Sequence, residues 1–171
     1  RCGEPRGHAV LSHDVMSPGP AIVDKDPVLP PRMMAYDAPA LHAMLSDPET
    51  MRYWSTPPHA TLAESEAWVA DGIAAMERGD GIDFVVLEGD RVIGRVAFWM
   101  GNEIGFLFSR AVWGKGYAQE AMNAVLRHGF DRMGFKRVRA DVDPDNTRSL
   151  KLLERVGFKR TGFAKNTFKI G

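Results

Sequence analysis

Hydrophobic and polar positions fall into a regular order only from about residue 37 onward. Asp37 followed by Pro39 has the form of a helix start and predicts a short helix to Leu45. Asp47-Pro48 opens a further helical turn ending near Tyr53-Trp54. Thr61-Leu62-Ala63-Glu64 is a capping box, and the stretch behind it predicts a helix to about Arg78, stopped by Gly79. Residues 82–87 and 91–100 read as two strands, and Gly89-Asp90 between them fits a hairpin turn. Gly101-Asn102 leads by another tight turn into a strand over residues 103–108. Loops this short require three antiparallel strands, because a parallel return needs about a dozen residues or more.

The period then changes. Ala118, Ala121, Met122, Val125, Leu126, Gly129, Phe130 and Met133 recur at helical spacing and form one apolar stripe that Gly134 ends. Residues 136–142 alternate as a strand, with Val138, Ala140 and Val142 on one face and Arg139 and Asp141 on the other. Asp143-Pro144-Asp145 breaks it, a second amphipathic helix covers 146–156, Gly157 closes that helix, and Phe158 begins another strand. The order from residue 82 is therefore β-β-β-α-β-α-β. It predicts an α/β fold with a mixed, largely antiparallel sheet and helices on both faces, its strand–helix–strand crossovers giving parallel neighbours. Residues 1–31 hold Pro5, Pro18, Pro20, Pro27, Pro30 and Pro31, six of the eleven prolines, without sustained periodicity. They read as an extended, poorly ordered arm in which Ala21-Ile22-Val23 is an edge-strand candidate, leaving 32–171 as a single domain.

Composition narrows the function classes. The 171 residues carry 22 basic and 22 acidic side chains, so no basic excess points to nucleic acid. A lone cysteine, Cys2, makes no internal disulfide and suits a reducing, cytoplasmic setting. No apolar run reaches membrane-spanning length and no signal-peptide pattern opens the chain, so no membrane partner is expected. The chain begins on Arg1 and ends on Lys169-Ile170-Gly171, and both ends read as incomplete. His8, His13, His42, His59 and His128 have no metal-ligand spacing, and no Gly-x-Ser-x-Gly elbow occurs, so neither a metal site nor a serine hydrolase is expected.

The sharpest local feature is Trp113-Gly114-Lys115-Gly116-Tyr117-Ala118, placed after a strand and opening the long amphipathic helix. Glycines admit positive φ and let a ligand approach without a Cβ in the way. The unpaired first-turn amides of a helix lie at the positive end of its dipole, and the two features together suit a phosphate or pyrophosphate. A P-loop is not met, since Tyr117 follows Gly116, and the dinucleotide fingerprint fails at Gln119. A glycine-rich loop without a ligand is the plain alternative.

The arrangement resembles the GNAT superfamily of N-acyltransferases, whose acyl-CoA signature is Q/R-x-x-G-x-G/A before a helix. Trp113 stands at the Q/R place, with Gly116 and Ala118 at the two small-residue places. Trp-Gly-Lys-Gly-Tyr-Ala followed by Glu120-Ala121 looks like the branch that acetylates ribosomal-protein N-termini. Asn146-x-x-Ser149-x-x-Leu152-Leu153-Glu154-x-x-Gly157-Phe158 is similar to a second element of that branch, and the resemblance spans roughly residues 33–170. It implies acetyl-CoA as cosubstrate, a primary amine as acceptor with a peptide or protein N-terminus favoured, and direct transfer in a ternary complex. A small-molecule amine acetyltransferase and a catalytically silent acyl-CoA-binding domain are the alternatives, and a homodimer is left open. The family has one more strand beyond the point where this chain ends, and it would pair with the strand that begins at Phe158.

The resemblance also implies roles. Amides near Gly114, Gly116 and Ala118 would hold the pyrophosphate with Trp113, Lys115 and Tyr117 in the same turn, and Phe106, Leu107 and Phe108 would lie along the pantetheine arm, one of their amides polarising the thioester carbonyl. Asn146 is a pantetheine contact and equally a helix cap. Ser149 is the candidate acid for the departing thiolate, because Leu153 stands where many relatives carry a tyrosine. No Asp or Glu occurs from Lys159 to Gly171, which leaves Glu103 as candidate base or as a plain strand-start carboxylate. Arg52, Tyr53, Trp54 and Trp99 are the candidate acceptor wall, with packing in the core as the alternative for the aromatic residues. An α-amine with pKa near 8 costs about 1.4 kcal/mol to hold neutral at pH 7, against roughly 4.6 kcal/mol for a lysine, so a weak base matches the α-amine better.

Overall fold

The computed structural model describes residues 7–14 and 30–164. Six strands, β1 (His8–Asp14), β2 (Gly81–Glu88), β3 (Arg91–Trp99), β4 (Glu103–Phe108), β5 (Arg137–Val142) and β6 (Lys159–Ala164), form one sheet in the order β2-β3-β4-β5-β1-β6. Four α-helices accompany it: α1 (Ala38–Leu45), α2 (Leu62–Arg78), α3 (Tyr117–Asp131) and α4 (Thr147–Arg155). The expected α/β class and the β-β-β-α-β-α-β order from residue 82 are both present.

Local chemistry explains most boundaries. Thr61 Oγ1 accepts the Glu64 amide at 3.3 Å, Glu64 reaches back to the Ala60 amide at 2.7 Å, and Gly79 ends α2 at φ 79°. Asp37 stands before α1 as expected, but its carboxylate accepts the Met34 amide at 2.7 Å instead of capping the helix. Around Asp47-Pro48 the chain makes hydrogen-bonded turns, Met51 N–H to Asp47 at 3.0 Å and Trp54 N–H to Met51 at 2.9 Å, without an α-helix. Two cores flank the sheet. Alternate strand residues such as Phe84, Val96, Ile104 and Val138 meet α3 and α4, whereas Val85 and Leu107 meet α1 and α2. Both faces are buried, so the central strands read as apolar runs. A buried Arg95–Asp83 ion pair crosses β3 to β2 on one face, with the guanidinium 4.6 Å from the Trp68 ring and 5.8 Å from Trp54 and Trp99.

One expectation needs correction. Part of the arm expected to be poorly ordered is regular structure: His8–Asp14 is an internal strand, antiparallel to β5 through Ala9↔Val142 and Leu11↔Ala140 and to β6 through Ala9↔Phe163. Ala9 and Leu11 are buried completely or nearly so, an apolar alternation that lies in the proline-free run between Pro5 and Pro18. The strand next to β6 is thus supplied by the beginning of the chain, and β5 and β6 are parallel without being neighbours. The Ala21-Ile22-Val23 candidate lies outside the described residues.

The feature that makes room for a site is the β4–β5 junction. Glu103↔Arg139 is the pairing that joins these parallel strands, with Arg139 N–H donating to Asn102 C=O at 2.9 Å. Beyond it the strands diverge. Ser109 N–H donates to Ile93 of β3 at 2.9 Å, so by strand alternation Phe106 and Phe108 turn their backbone groups to the opposite edge, into the opening.

Candidate active site

The splay between β4 and β5 is the mouth of a cavity of about 720 Å³. β4 contributes Glu103 through Phe108, the turn before α3 contributes Trp113, Gly114, Gly116, Ala118 and Gln119, β5 contributes Asp141 and Val142, and α4 contributes Asn146, Arg148 and Ser149. Elements 40 residues apart in sequence converge because the crossover helix α3 returns the chain parallel to β4.

At the α3 end, Gly114 and Gly116 take φ values of 75° and 90°, and a Cβ at either would meet nothing within 4 Å. These glycines are therefore required by backbone conformation and not by packing. Gly116 is the N-cap of a 15-residue helix and offers no side-chain cap to the first amides, which open on the cavity. The first intrahelical donor with a partner is Glu120 N–H, to Gly116 C=O at 3.1 Å. An uncapped N-terminus, flanked by space where side chains would stand, fits a pyrophosphate. Trp113 closes the turn: its Nε1 donates to Phe108 C=O at 2.8 Å, and the Arg148 guanidinium lies 3.6 Å from the centre of its ring. A cation thus stands beside the position where Trp113 departs from the Q/R pattern.

Two residues of the turn do not line the cavity. The Tyr117 hydroxyl donates to Glu88 and its ring packs on the core, and Lys115 is exposed without lining the cavity. On α4, Asn146 Oδ1 accepts the Ser149 amide at 3.1 Å, so Asn146 is a helix cap and also lines the cavity. Ser149 and Leu152 line the same wall, whereas Leu153 is fully buried in the core.

At the far end, Arg52, Tyr53, Trp54 and Trp99 all line the cavity, joined by Glu49 and Trp68, which sequence reasoning did not single out. Trp54 and Trp99 enclose Arg95 on one side and line the cavity on the other. Arg52 is exposed and sits 3.8 Å from Glu49. Arg110 just after β4 pairs with Asp47 at 2.9 Å, tying this wall loop to the strand edge. The Thr50 hydroxyl on Asp47 holds that carboxyl below its ordinary range. Glu103 lies at the floor, where burial, reinforced by the nearby Asp141 carboxylate, raises its pKa against the pull of Arg139. His8 of β1 also reaches this floor, 3.7 Å from Asp141. Sequence reasoning missed it because β1 itself was missed, and only the alternation of Ala9 and Leu11 pointed to that strand.

Among the described residues, no three His, Cys, Asp or Glu side chains are grouped as a metal site, and no helix is long and apolar enough to cross a membrane.

The sequence profile of the family described as "Acetyltransferase (GNAT) domain" matches residues 31–159. An uncharacterised N-acetyltransferase, p20 of Bacillus licheniformis, is 30% identical over 143 residues, covering 79% of this chain and 80% of that protein. Among solved structures, spermidine N-acetyltransferase from Vibrio cholerae, in complex with CoA and spermine, superposes with a TM-score of 0.70 at 21% identity, covering 82% and 85% of the two chains. The Salmonella typhimurium acetyltransferase that modifies the N-terminal serine of ribosomal protein L7/L12 has a TM-score of 0.70 at 18% identity, over 82% and 85%.

Proposed function

Taking as premise that the chain belongs to the GNAT family of N-acetyltransferases, we propose that it transfers an acetyl group from acetyl-CoA to the α-amino group of a peptide or protein in one ternary complex. One observation carries this reading: the open β4 edge at Phe106 and the uncapped start of α3 face one cavity. The pyrophosphate lies against the amides of the Gly114–Ala118 turn with Arg148 beside it, and the pantetheine arm runs along Phe106–Phe108 and adds in effect a strand to the open edge. The Phe106 amide then meets the thioester carbonyl and stabilises charge developing on its oxygen. Glu103 is the carboxylate an incoming ammonium meets at the floor. The neutral amine attacks the carbonyl carbon, the C–N bond forms and the C–S bond breaks. Ser149 hands its hydroxyl proton to the leaving thiolate and regains one from the acylated nitrogen. A reducing, cytoplasmic setting suits the lone Cys2.

The acceptor follows from energetics: an α-amine loses its proton at roughly 3 kcal/mol less cost than a lysine. Thiol release from acetyl-CoA, measured across peptides with free N-termini, N-blocked lysine peptides and small polyamines, tests the assignment. Free N-termini react fastest on this reading. Faster lysine or polyamine acetylation refutes the acceptor class, and acetyl-CoA binding without release to any amine refutes catalysis.

A further inference from the structure

An acetyl transfer to an amine begins with a proton leaving an ammonium, and the chain offers two groups at the cavity floor that could receive it. Glu103 was legible in the sequence. The other is His8, half-buried on β1 and lining the same cavity as Glu103, Phe106 and Ser149. The pairing Val10↔Asp141 between β1 and β5 makes His8 a diagonal neighbour of Asp141. His8 Nδ1 lies 3.7 Å from Asp141 Oδ1, a buried oxygen that accepts no hydrogen bond from any described residue.

A carboxylate oxygen removed from water draws the nearest N–H toward it. That preference places the proton of a neutral imidazole on Nδ1 and leaves the Nε2 lone pair as a base, with the carboxylate holding tautomer and orientation. Hydrogen bonds in catalytic pairs are commonly long before substrate binds and close on complex formation. Among the described residues, the charged side chains that line the cavity with His8 include Asp141 of β5, Glu103 of β4 and Asp143, and Arg148, Lys151 and Arg155 of α4, while β6 sets Ala164 opposite His8 in the ladder.

We propose that His8 is the general base of the reaction, taking the ammonium proton on Nε2, and that Asp141 is its positioning residue. The assignment rests on the acyl-transfer reaction proposed for this cleft. The ammonium N–H bond breaks, the proton passes to the imidazole, and the imidazolium releases it to solvent after acetyl transfer. Glu103 and Asp141 together attract the cation and steady the imidazolium. Reference acidities favour this division: an α-ammonium gives its proton to an imidazole against roughly a 25-fold unfavourable equilibrium, and to an ordinary glutamate against roughly 4,000-fold, a gap that the raised pKa of Glu103 narrows.

The test is kcat/KM from pH 5.5 to 9 with acetyl-CoA and the fastest peptide acceptor, for wild type, His8→Gln and Asp141→Asn, with acetyl-CoA affinity measured in parallel. His8→Gln is expected to lower kcat by about a hundredfold or more, with an acid limb that now follows only the acceptor's own ammonium and with acetyl-CoA affinity retained. Asp141→Asn removes the carboxylate that orients the imidazole and is expected to lower kcat by about tenfold or more while KM for acetyl-CoA stays unchanged. Added imidazole is expected to restore part of the rate to His8→Ala, which a merely structural role would not allow. A His8→Gln enzyme as active as wild type at every pH overturns the base while leaving acyl transfer in place. A wild type that binds acetyl-CoA and releases no thiol with any amine overturns both.

Discussion

Replacing Gly116 by alanine separates what the α3 turn does for the fold from what it does for a ligand. Gly116 sits at φ 90°, where an L side chain costs about 1–2 kcal/mol. The added Cβ meets nothing within 4 Å, so the folding penalty is conformational alone. For a chain of this size it lowers Tm by roughly 2–8 °C. Gly79 is the matched control: φ is 79°, a Cβ there is equally unopposed, and the residue caps α2 away from the cavity. Gly79→Ala therefore carries a similar folding cost with no ligand consequence. If the amides around Gly116 grip a pyrophosphate, the new methyl group stands in its approach. Losing one hydrogen bond to a charged group costs roughly 1.5–3 kcal/mol, a rise in Kd of about 10- to 150-fold. Calorimetric titration of both variants with acetyl-CoA, alongside rates with S-acetyl-pantetheine, which lacks the phosphates, reads the difference. Weakened acetyl-CoA binding in Gly116→Ala, with normal binding in Gly79→Ala and little change toward the truncated thioester, is the expected pattern. A Gly116→Ala protein that binds acetyl-CoA as tightly as Gly79→Ala refutes the anion cradle.

Other substitutions test other links. Ser149→Ala lowers turnover with acetyl-CoA affinity nearly unchanged, since the amide that Asn146 caps is retained; undiminished turnover removes Ser149 from the mechanism. Asp83→Asn leaves the fully buried Arg95 without its counter-ion and destabilises by about 3–5 kcal/mol, lowering Tm by roughly 10 °C in a thermal melt. Glu103→Gln follows from linkage: the folded-state pKa is raised, so the ionised carboxylate is a stability penalty that appears as pH rises above the ordinary value of 4.5. The variant melts higher than wild type at pH 7 to 8 and loses that advantage below about pH 4.5; equal melting points throughout contradict the burial of this charge.

Local signals carried far in this chain because they were chemically specific. The Thr61–Glu64 box, the Gly79 cap, the Asn146 cap and the glycine turn each state a backbone conformation in two to four residues, and each stands where its residues imply. Long-range information was harder to read. β1 pairs with strands more than 120 residues away, and nothing within seven residues announces which strands will receive it. The divergence of β4 from β5 is a property of the assembled sheet, so the cleft and the open Phe106 edge had no local signature. The Arg95–Asp83 pair lay hidden in strands that read as ordinary hairpin. At Lys115 and Tyr117 the limit is of another kind, since a motif names a turn and does not say which side chains of that turn line the cavity.

The central claim is that coenzyme A lies between β4 and β5 with its pyrophosphate on the start of α3. A crystal structure of the protein grown with coenzyme A tests it most directly. The account predicts pyrophosphate oxygens within hydrogen-bonding distance of amides between Gly114 and Gln119, and the pantetheine arm bonded to the Phe106 backbone. Coenzyme A bound at another surface, or a cleft that stays empty at saturating concentration, contradicts it.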